Sequence, residues 1–207
     1  MLHRQAWGQI ISDAVQCFRN NQWHINKLLK YNAKFFCKQP FRQIPETTLI
    51  MSEKHLTETT YASFSLPAEL MQGIEEAGFS KCTPIQAETL PIALQGKDVA
   101  GQAQTGTGKT AAFALPLLAR IDASASYPQL LVLAPTRELA LQVAEAMQTY
   151  ARFLPGFHVL PIYGGQGMGM QLNQLRRGVQ VVVGTPGRIM DHMRRGTLDI
   201  SRLQSLV

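Results

Sequence analysis

At 207 residues, with 45% hydrophobic and 16% charged residues, the chain has the length and composition of one soluble globular domain with an appendage. No apolar run approaches the roughly 20 residues of a membrane span, the N-terminus lacks the short apolar core of a secretory signal, and Cys17, Cys37 and Cys82 are odd in number and lack zinc-ligand spacing. The formal charge of +6 is uneven: residues 1–50 carry seven Lys or Arg against two acidic groups, and the rest of the chain 13 against 12, so bulk charge gives the main domain no argument for a nucleic-acid partner.

Residues 1–50 are poor in acidic groups and hold clustered amides (Asn20-Asn21-Gln22), aromatics (Phe35-Phe36, Phe41) and a weak helical pattern through Ile10, Ile11, Ala14, Val15 and Phe18. Three readings compete: a basic arm that helps hold RNA, an organelle-targeting extension, or a stretch upstream of a working start at Met51. The third is preferred, because Met51-Ser52-Glu53-Lys54 reads like an ordinary soluble N-terminus. Residues 52–63 are polar and expected to be disordered, so that 1–63 forms a largely disordered or weakly helical extension and order begins near Phe64. A helix follows: Ser65 can cap it, Pro67 suits its first turn, Leu70, Ile74 and Ala77 share a face, and Gly78 ends it.

Thr83-Pro84-Ile85-Gln86 opens the next helix as a capping box. The capping role accounts for Gln86; a carboxamide also offers the donor and acceptor needed to read an adenine edge, and the four residues alone favour the cap. Residues 98–102 are expected to be a buried strand. Residues 103–110, Ala-Gln-Thr-Gly-Thr-Gly-Lys-Thr, then run into a helix over 109–121. Strand, glycine loop and helix are the context of a phosphate-binding loop. Gly106 and Gly108 let the backbone turn its N–H groups onto phosphate oxygens, and the helix N-terminus adds its own. Lys109 would reach the β- and γ-phosphates, and the Thr110 hydroxyl would ligate Mg²⁺. The first glycine of the plain pattern is replaced by Ala103.

Apolar strands expected at 129–134, 157–163, 179–184 and 203–207 alternate with helices at 137–152, 168–177 and 187–195. That alternation predicts an α/β fold with a parallel sheet covered on both faces, and ligands on the carboxyl ends of its strands. The loops at those ends hold Pro135-Thr136-Arg137, Gly164-Gly165 and Thr185-Pro186-Gly187-Arg188. Singly, each reads as turn chemistry. Together they supply hydroxyls, guanidinium groups and glycine N–H groups along one edge, suited to tracking a sugar-phosphate backbone.

These stretches resemble the DEAD-box RNA helicases, most closely their bacterial cold-shock type, over residues 64–207. Gly78 to Gln86 is similar to the family's Q motif, with Phe79, Lys81 and Thr83 inside it and Phe64 where an upstream adenine-stacking aromatic is expected. Ala103 to Thr110, including Gln104, Thr105 and Thr107, matches motif I, in which alanine at the first position is normal. Pro135 to Leu139 resembles motif Ia, Gly164-Gly165 the GG motif and Thr185 to Arg188 motif Ib; within the Q motif stretch, Cys82 replaces a proline often found at that position. The resemblance implies a RecA-like P-loop domain, ATP and Mg²⁺ as cofactors, Lys109 and Thr110 at the reacting phosphates, and adenine recognition by Gln86 as the likelier of its two roles. It also implies single-stranded RNA gripped through its backbone, RNA-processing or ribosome-assembly partners, a monomer and a cytoplasmic location. In the family the strand beginning near Leu203 runs into Asp-Glu-Ala-Asp, which this sequence does not reach. The domain is therefore expected to be incomplete at its C-terminus, and these residues alone to bind without useful hydrolysis. A P-loop ATPase acting on something other than RNA and a non-catalytic binding module remain as rivals.

Overall fold

Successive strand side chains point to opposite faces of a sheet, and in this chain both sets are apolar. The computed structural model describes residues 56–207; the readings of residues 1–50 and of Met51 lie outside the described residues. Four strands, β1 (Leu130–Leu133), β2 (Val159–Ile162), β3 (Val181–Gly184) and β4 (Ser205–Leu206), form one sheet in the order β2-β3-β1-β4. All pairings are parallel, with Leu130 opposite both Val181 and Ser205, and Val159 opposite Val181.

Six α-helices among the described residues accompany them: α1 (Ala68–Glu76), α2 (Pro84–Leu94), α3 (Lys109–Leu118), α4 (Arg137–Tyr150), α5 (Met168–Arg177) and α6 (Pro186–Arg194). One face of the sheet presents Leu130, Val132, Val181 and Val183 to a core that contains Leu115 and Leu118 of α3 and Ala140, Val143 and Met147 of α4. The other presents Leu131, Leu160, Ile162 and Val182 to Ile189 of α6 and to Leu198, Ile200 and Leu203. Burial of each large aliphatic side chain is worth about 1.5–3 kcal/mol, so a one-residue slip in any strand is heavily penalised. At the amino ends of the strands, buried Gln129 and Gln180 tie the neighbouring loop down: Gln129 Nε2 donates to Asp122 O at 2.8 Å and Gln180 Nε2 to Ala123 O at 3.1 Å.

The expected parallel sheet with helices on both faces is present. Three local expectations are corrected. Residues 98–102 form no strand, and Val99 is 40% exposed. Val99 is the one strong strand former among Asp98, Ala100, Gly101 and Gln102, and the sheet edge at β4 offers only two residues of ladder. Order also begins before Phe64. Thr57 N–H donates to Cys82 O and Cys82 N–H to Thr59 O, each at 2.8 Å. Thr60 bridges Lys81 in antiparallel sense, and a 3-10 turn at Tyr61–Ser63 buries Tyr61. Polar side chains did not imply disorder, because the segment pairs through its backbone. Finally, Ser65 does not cap α1; Pro67 occupies the N-cap position without a side-chain bond. Gly78, at φ +80°, follows the end of that helix as expected.

Candidate nucleotide pocket and nucleic-acid edge

The phosphate loop is built by two left-handed glycines. Gly106 lies at φ +81° and Gly108 at φ +83°, a region L side chains adopt only under strain. Gly108 is the N-cap of α3, and no side chain caps that helix. The first N–H groups of α3 are therefore left without a side-chain cap, a feature suited to an anion. The loop is folded on itself: Lys109 Nζ donates to Ala103 O at 2.5 Å and to Gln104 O at 2.6 Å, and the Thr107 hydroxyl to Gln104 O at 2.7 Å. Carbonyl oxygens thus hold the ammonium that phosphate oxygens would draw away.

Gln86 lies directly behind the loop. It is 2% exposed, and its Nε2 donates to Gly108 O at 3.1 Å. Its Oε1 accepts the Thr83 N–H at 2.9 Å and the Tyr61 hydroxyl at 2.5 Å. The capping box expected at the start of α2 is present, with the Thr83 side chain set toward the Gln86 N–H and the Gln86 side chain bonded to the Thr83 N–H, although the buried Thr83 hydroxyl makes no full hydrogen bond. Thr83 Oγ1 is also among the atoms nearest to where a side chain on Gly108 would project. Capping and contact with the phosphate loop are combined in one carboxamide.

Phe64 packs, half-buried, on the main core. The ring that touches Gln86 belongs to Tyr61, which no spacing rule singled out. Burial pushes the Tyr61 phenol well above its ordinary pKa, with the Cys82 thiol and Tyr150 adding to the shift, so its hydroxyl stays protonated and donates. Phe79 stacks, tilted, between Tyr61 at 6.3 Å and Tyr150 at 5.8 Å and is 37% exposed. Lys81 points into solvent and pairs with Glu58 at 2.8 Å. Gln104 and Thr105 are exposed on the loop surface.

The other three loops meet at the carboxyl ends of β1, β2 and β3. Thr136 is the N-cap of α4 and accepts the Leu139 N–H at 3.2 Å; Pro135, Thr136 and Arg137 are all exposed. The Arg137 guanidinium carbon lies 4.8 Å from the centre of the Tyr163 ring, beside Gly165, which joins the loop after β1 to the loop after β2. Arg188 joins the third: its Nη1 donates to Gln166 O at 3.2 Å and to Gln171 Oε1 at 3.2 Å. Thr185 ties back through its N–H to Ile162 O at 2.9 Å. Gly164, Gly165 and Gly187 are exposed, and side chains built at Gly164 or Gly187 would meet nothing within 4 Å. Their bare backbone faces open space.

Beneath these loops lies a polar network that the sequence reading missed. Gln171 and His192 are both fully buried. Gln171 Nε2 donates to Tyr163 O at 3.0 Å, and its Oε1 accepts Arg188, so the His192 Nε2, at 2.9 Å, must donate to it as well. Nδ1 of the ring faces the Thr197 hydroxyl at 2.9 Å. Burial first, and the Arg188 charge second, hold the imidazole below its ordinary value. The signal that was available is helical spacing: His192 lies three residues after Ile189, on the buried face of α6.

The residues present fit a nucleotide. An uncapped helix N-terminus, a lysine held only by loop carbonyls and an unbonded buried hydroxyl lie around one loop. No group of three His, Cys, Asp or Glu able to hold a metal ion occurs among the described residues; Mg²⁺ commonly keeps several waters and binds through substrate phosphates, so a hydroxyl such as that of Thr110 would suffice on the protein side. No helix of the described residues is long and apolar enough to cross a membrane.

Residues 83–207 match the family described as DEAD/DEAH box helicase. The chain is 55% identical over 150 residues to the ATP-dependent RNA helicase DeaD of Escherichia coli strain K12, covering 72% of this chain and 24% of that protein. It is 55% identical over 148 residues to the protein of the same name from Mycobacterium tuberculosis, with 72% and 26% covered. Among solved structures, a DEAD box protein from the hyperthermophile Methanococcus jannaschii superposes with a TM-score of 0.67 at 35% identity, over 71% of this chain and 40% of that one. The chain thus spans about a quarter of the length of the curated relatives it matches.

Proposed function

This chain belongs to the DEAD/DEAH box helicase family, and we propose that it is the ATP- and RNA-binding N-terminal part of a helicase that couples ATP to local separation of RNA duplexes. The observation that carries this reading is the hydrogen bond from Gln86 to Gly108 O. It joins the helix that would face a base to the loop that would hold its phosphates, so one ligand can report to both. In this reading Lys109 leaves the carbonyls of Ala103 and Gln104 for the β- and γ-phosphates, and the N–H groups of Gly106, Gly108 and the first turn of α3 surround them. Thr110 holds Mg²⁺, and Thr107 keeps the loop turned through Gln104. Phe64, Phe79, Lys81 and Thr83 border the base side. When bound, Mg²⁺ supplies charge neutralisation on the phosphates.

On the other edge, Thr136, Arg137, Gly164, Gly165, Thr185, Gly187 and Arg188 grip the sugar-phosphate backbone of one strand, with Pro135 and Pro186 fixing the turns. Backbone contact is supported by the exposed glycines at this edge. The setting in which such a chain acts is the cytoplasm, as a monomer among RNA-processing or ribosome-assembly partners. By itself, the 207-residue sequence contains no Asp-Glu-Ala-Asp stretch, and we assign it binding without useful turnover.

The test is equilibrium titration of the chain with a fluorescent ADP, with and without Mg²⁺, and with a labelled single-stranded RNA, beside an assay of phosphate release from ATP. Saturable binding of both ligands with no RNA-stimulated phosphate release is expected. A folded chain that binds neither ligand sinks the proposal, and RNA-stimulated hydrolysis sinks the assignment of binding alone.

A further inference from the structure

Gln171 is fully buried on α5, and every hydrogen-bonding position of its side chain is filled. Its Nε2 donates to Tyr163 O at 3.0 Å and to Gln166 Oε1 at 2.9 Å, and its Oε1 accepts Arg188 Nη1 at 3.2 Å and His192 Nε2 at 2.9 Å. Tyr163 and Gln166 flank Gly164-Gly165 in the loop after β2, and Arg188 and His192 lie four residues apart on α6. One carboxamide therefore spans the glycine loop and the arginine of the loop after β3. Turning the amide over would set Nε2 against the Arg188 guanidinium and Oε1 against the Tyr163 carbonyl, two contacts of like polarity in a buried site, so its orientation is fixed.

What this does to Arg188 follows from which nitrogen is held. A guanidinium carries five N–H donors in a rigid plane. In Arg188 the contacts to Gln171 Oε1, to Gln166 O at 3.2 Å and to Met168 Sδ at 4.0 Å all fall on Nη1. Nε and Nη2 make no hydrogen bond among the described residues, and neither is a buried atom left unpaired, so both reach solvent. Those two nitrogens form the side edge of the plane, whose parallel N–H bonds match two oxygens of one phosphate. We propose, on the reading that this edge of the fold holds an RNA strand, that Gln171 is a positioning residue for it: by pinning Arg188 through Nη1 and the glycine loop through Tyr163 O, it aims the Nε–Nη2 edge at a single backbone phosphate in fixed register with Gly164-Gly165.

An unheld arginine gives up its rotamer freedom when it takes a phosphate, whereas a pinned one has already done so. Gln171, being fully buried, does not reach the strand itself, and its effect runs through Arg188.

The experiment titrates a labelled single-stranded RNA across a range of salt with the full chain, Gln171→Met, Arg188→Ala and the double variant, with thermal denaturation and fluorescent-ADP titration alongside. Gln171→Met keeps the side-chain length and removes the oxygen acceptor. It should weaken RNA binding about 10-fold, make the salt slope shallower by about one unit and leave ADP affinity unchanged. In the Arg188→Ala background the same substitution should change RNA affinity by less than about 2-fold. His192→Asn disturbs the same buried network without releasing Arg188, so it should lower the melting temperature and leave the salt slope intact. Should Gln171→Met be unfolded at the assay temperature, Gln171→Asn, with its amide withdrawn by one methylene, is read in the same cycle. Additive losses in the cycle, an equal slope change in His192→Asn, or a Gln171 variant with wild-type RNA affinity and slope overturn the inference and leave Arg188 a phosphate contact. Full RNA affinity in a folded Arg188→Ala chain, or no RNA binding by the wild-type chain, sinks the reading of this edge together with the inference.

Discussion

The two ends of the candidate site handle their polar groups in opposite ways. At the phosphate loop they are spent on one another: Lys109 on two carbonyls, Gln86 on three partners, Thr107 on Gln104. At the edge formed by the loops after β1, β2 and β3, the arginines link neighbouring loops, while Thr136 and the glycine backbone of Gly164, Gly165 and Gly187 stay exposed. The first region must exchange internal bonds for bonds to a ligand and so changes shape when it binds. The second is already laid open and needs little rearrangement. In the proposed reading a nucleotide would therefore have to displace internal bonds, whereas a sugar-phosphate backbone would meet groups that are already exposed.

The sharpest way to break that contrast is Lys109→Ala. It removes the one cation of the loop, and nucleotide affinity should fall roughly 100-fold, the worth of about two charge-assisted hydrogen bonds, in a titration with fluorescent ADP, while RNA affinity holds. Gly108→Ala should come next. Its Cβ would lie 2.3 Å from Gln86 Nε2 at a backbone φ of +83°, and denaturant unfolding should show a loss of about 1–3 kcal/mol. An unchanged midpoint would mean that the loop is not tied to Gln86. At the open edge, Arg137→Ala should weaken single-stranded RNA binding by about 10-fold and make its dependence on salt shallower by about one unit of slope. If the Tyr163 stack is all that Arg137 does, the melting temperature drops and RNA affinity stays.

Smaller effects sharpen the same line. Thr136→Ala should cost about 1 kcal/mol of stability through loss of the α4 cap, with Thr136→Ser recovering it; an RNA defect in the alanine variant beyond that would add a contact to the cap. His192 is expected to leave a mark on pH. Its folded pKa is depressed below the ordinary 6.5 by burial and by Arg188, so its contribution to stability is complete above that value and is lost as pH falls through the folded one. Urea midpoints measured between about pH 5 and 8 should drop on the acid side, and His192→Asn should flatten that limb. An acid limb equally steep in the variant would place its origin elsewhere.

How much of this was legible in the sequence follows from the range of each interaction. Gly106, Gly108, Lys109 and Thr110 are adjacent, and their meaning is local. Pro135 to Arg137, Gly164-Gly165 and Thr185 to Arg188 could be placed on one edge because parallel strands carry their loops at the same end. Tyr61 was invisible because its partner, Gln86, lies on another element with no periodicity to link them. The Gln171–His192–Arg188 network joins two helices in the same way. The strand foreseen at 98–102 failed for a tertiary reason, since a strand exists only where a neighbour offers it a ladder.

The sheet order has a consequence for the chain as it is being made. β3 leaves the ribosome after β1 and β2, yet it is the strand that lies between them. Until Val181–Gly184 arrive, neither of the earlier strands has its neighbour, and each carries an open edge beside apolar side chains. β2 can then close locally onto β3 through α5, and β1 joins from farther away at a higher cost in chain entropy. The nascent protein thus passes through a window in which its central ladder is missing. A chaperone that masks strand edges during that interval would act on β1 and β2 and be released by the arrival of β3.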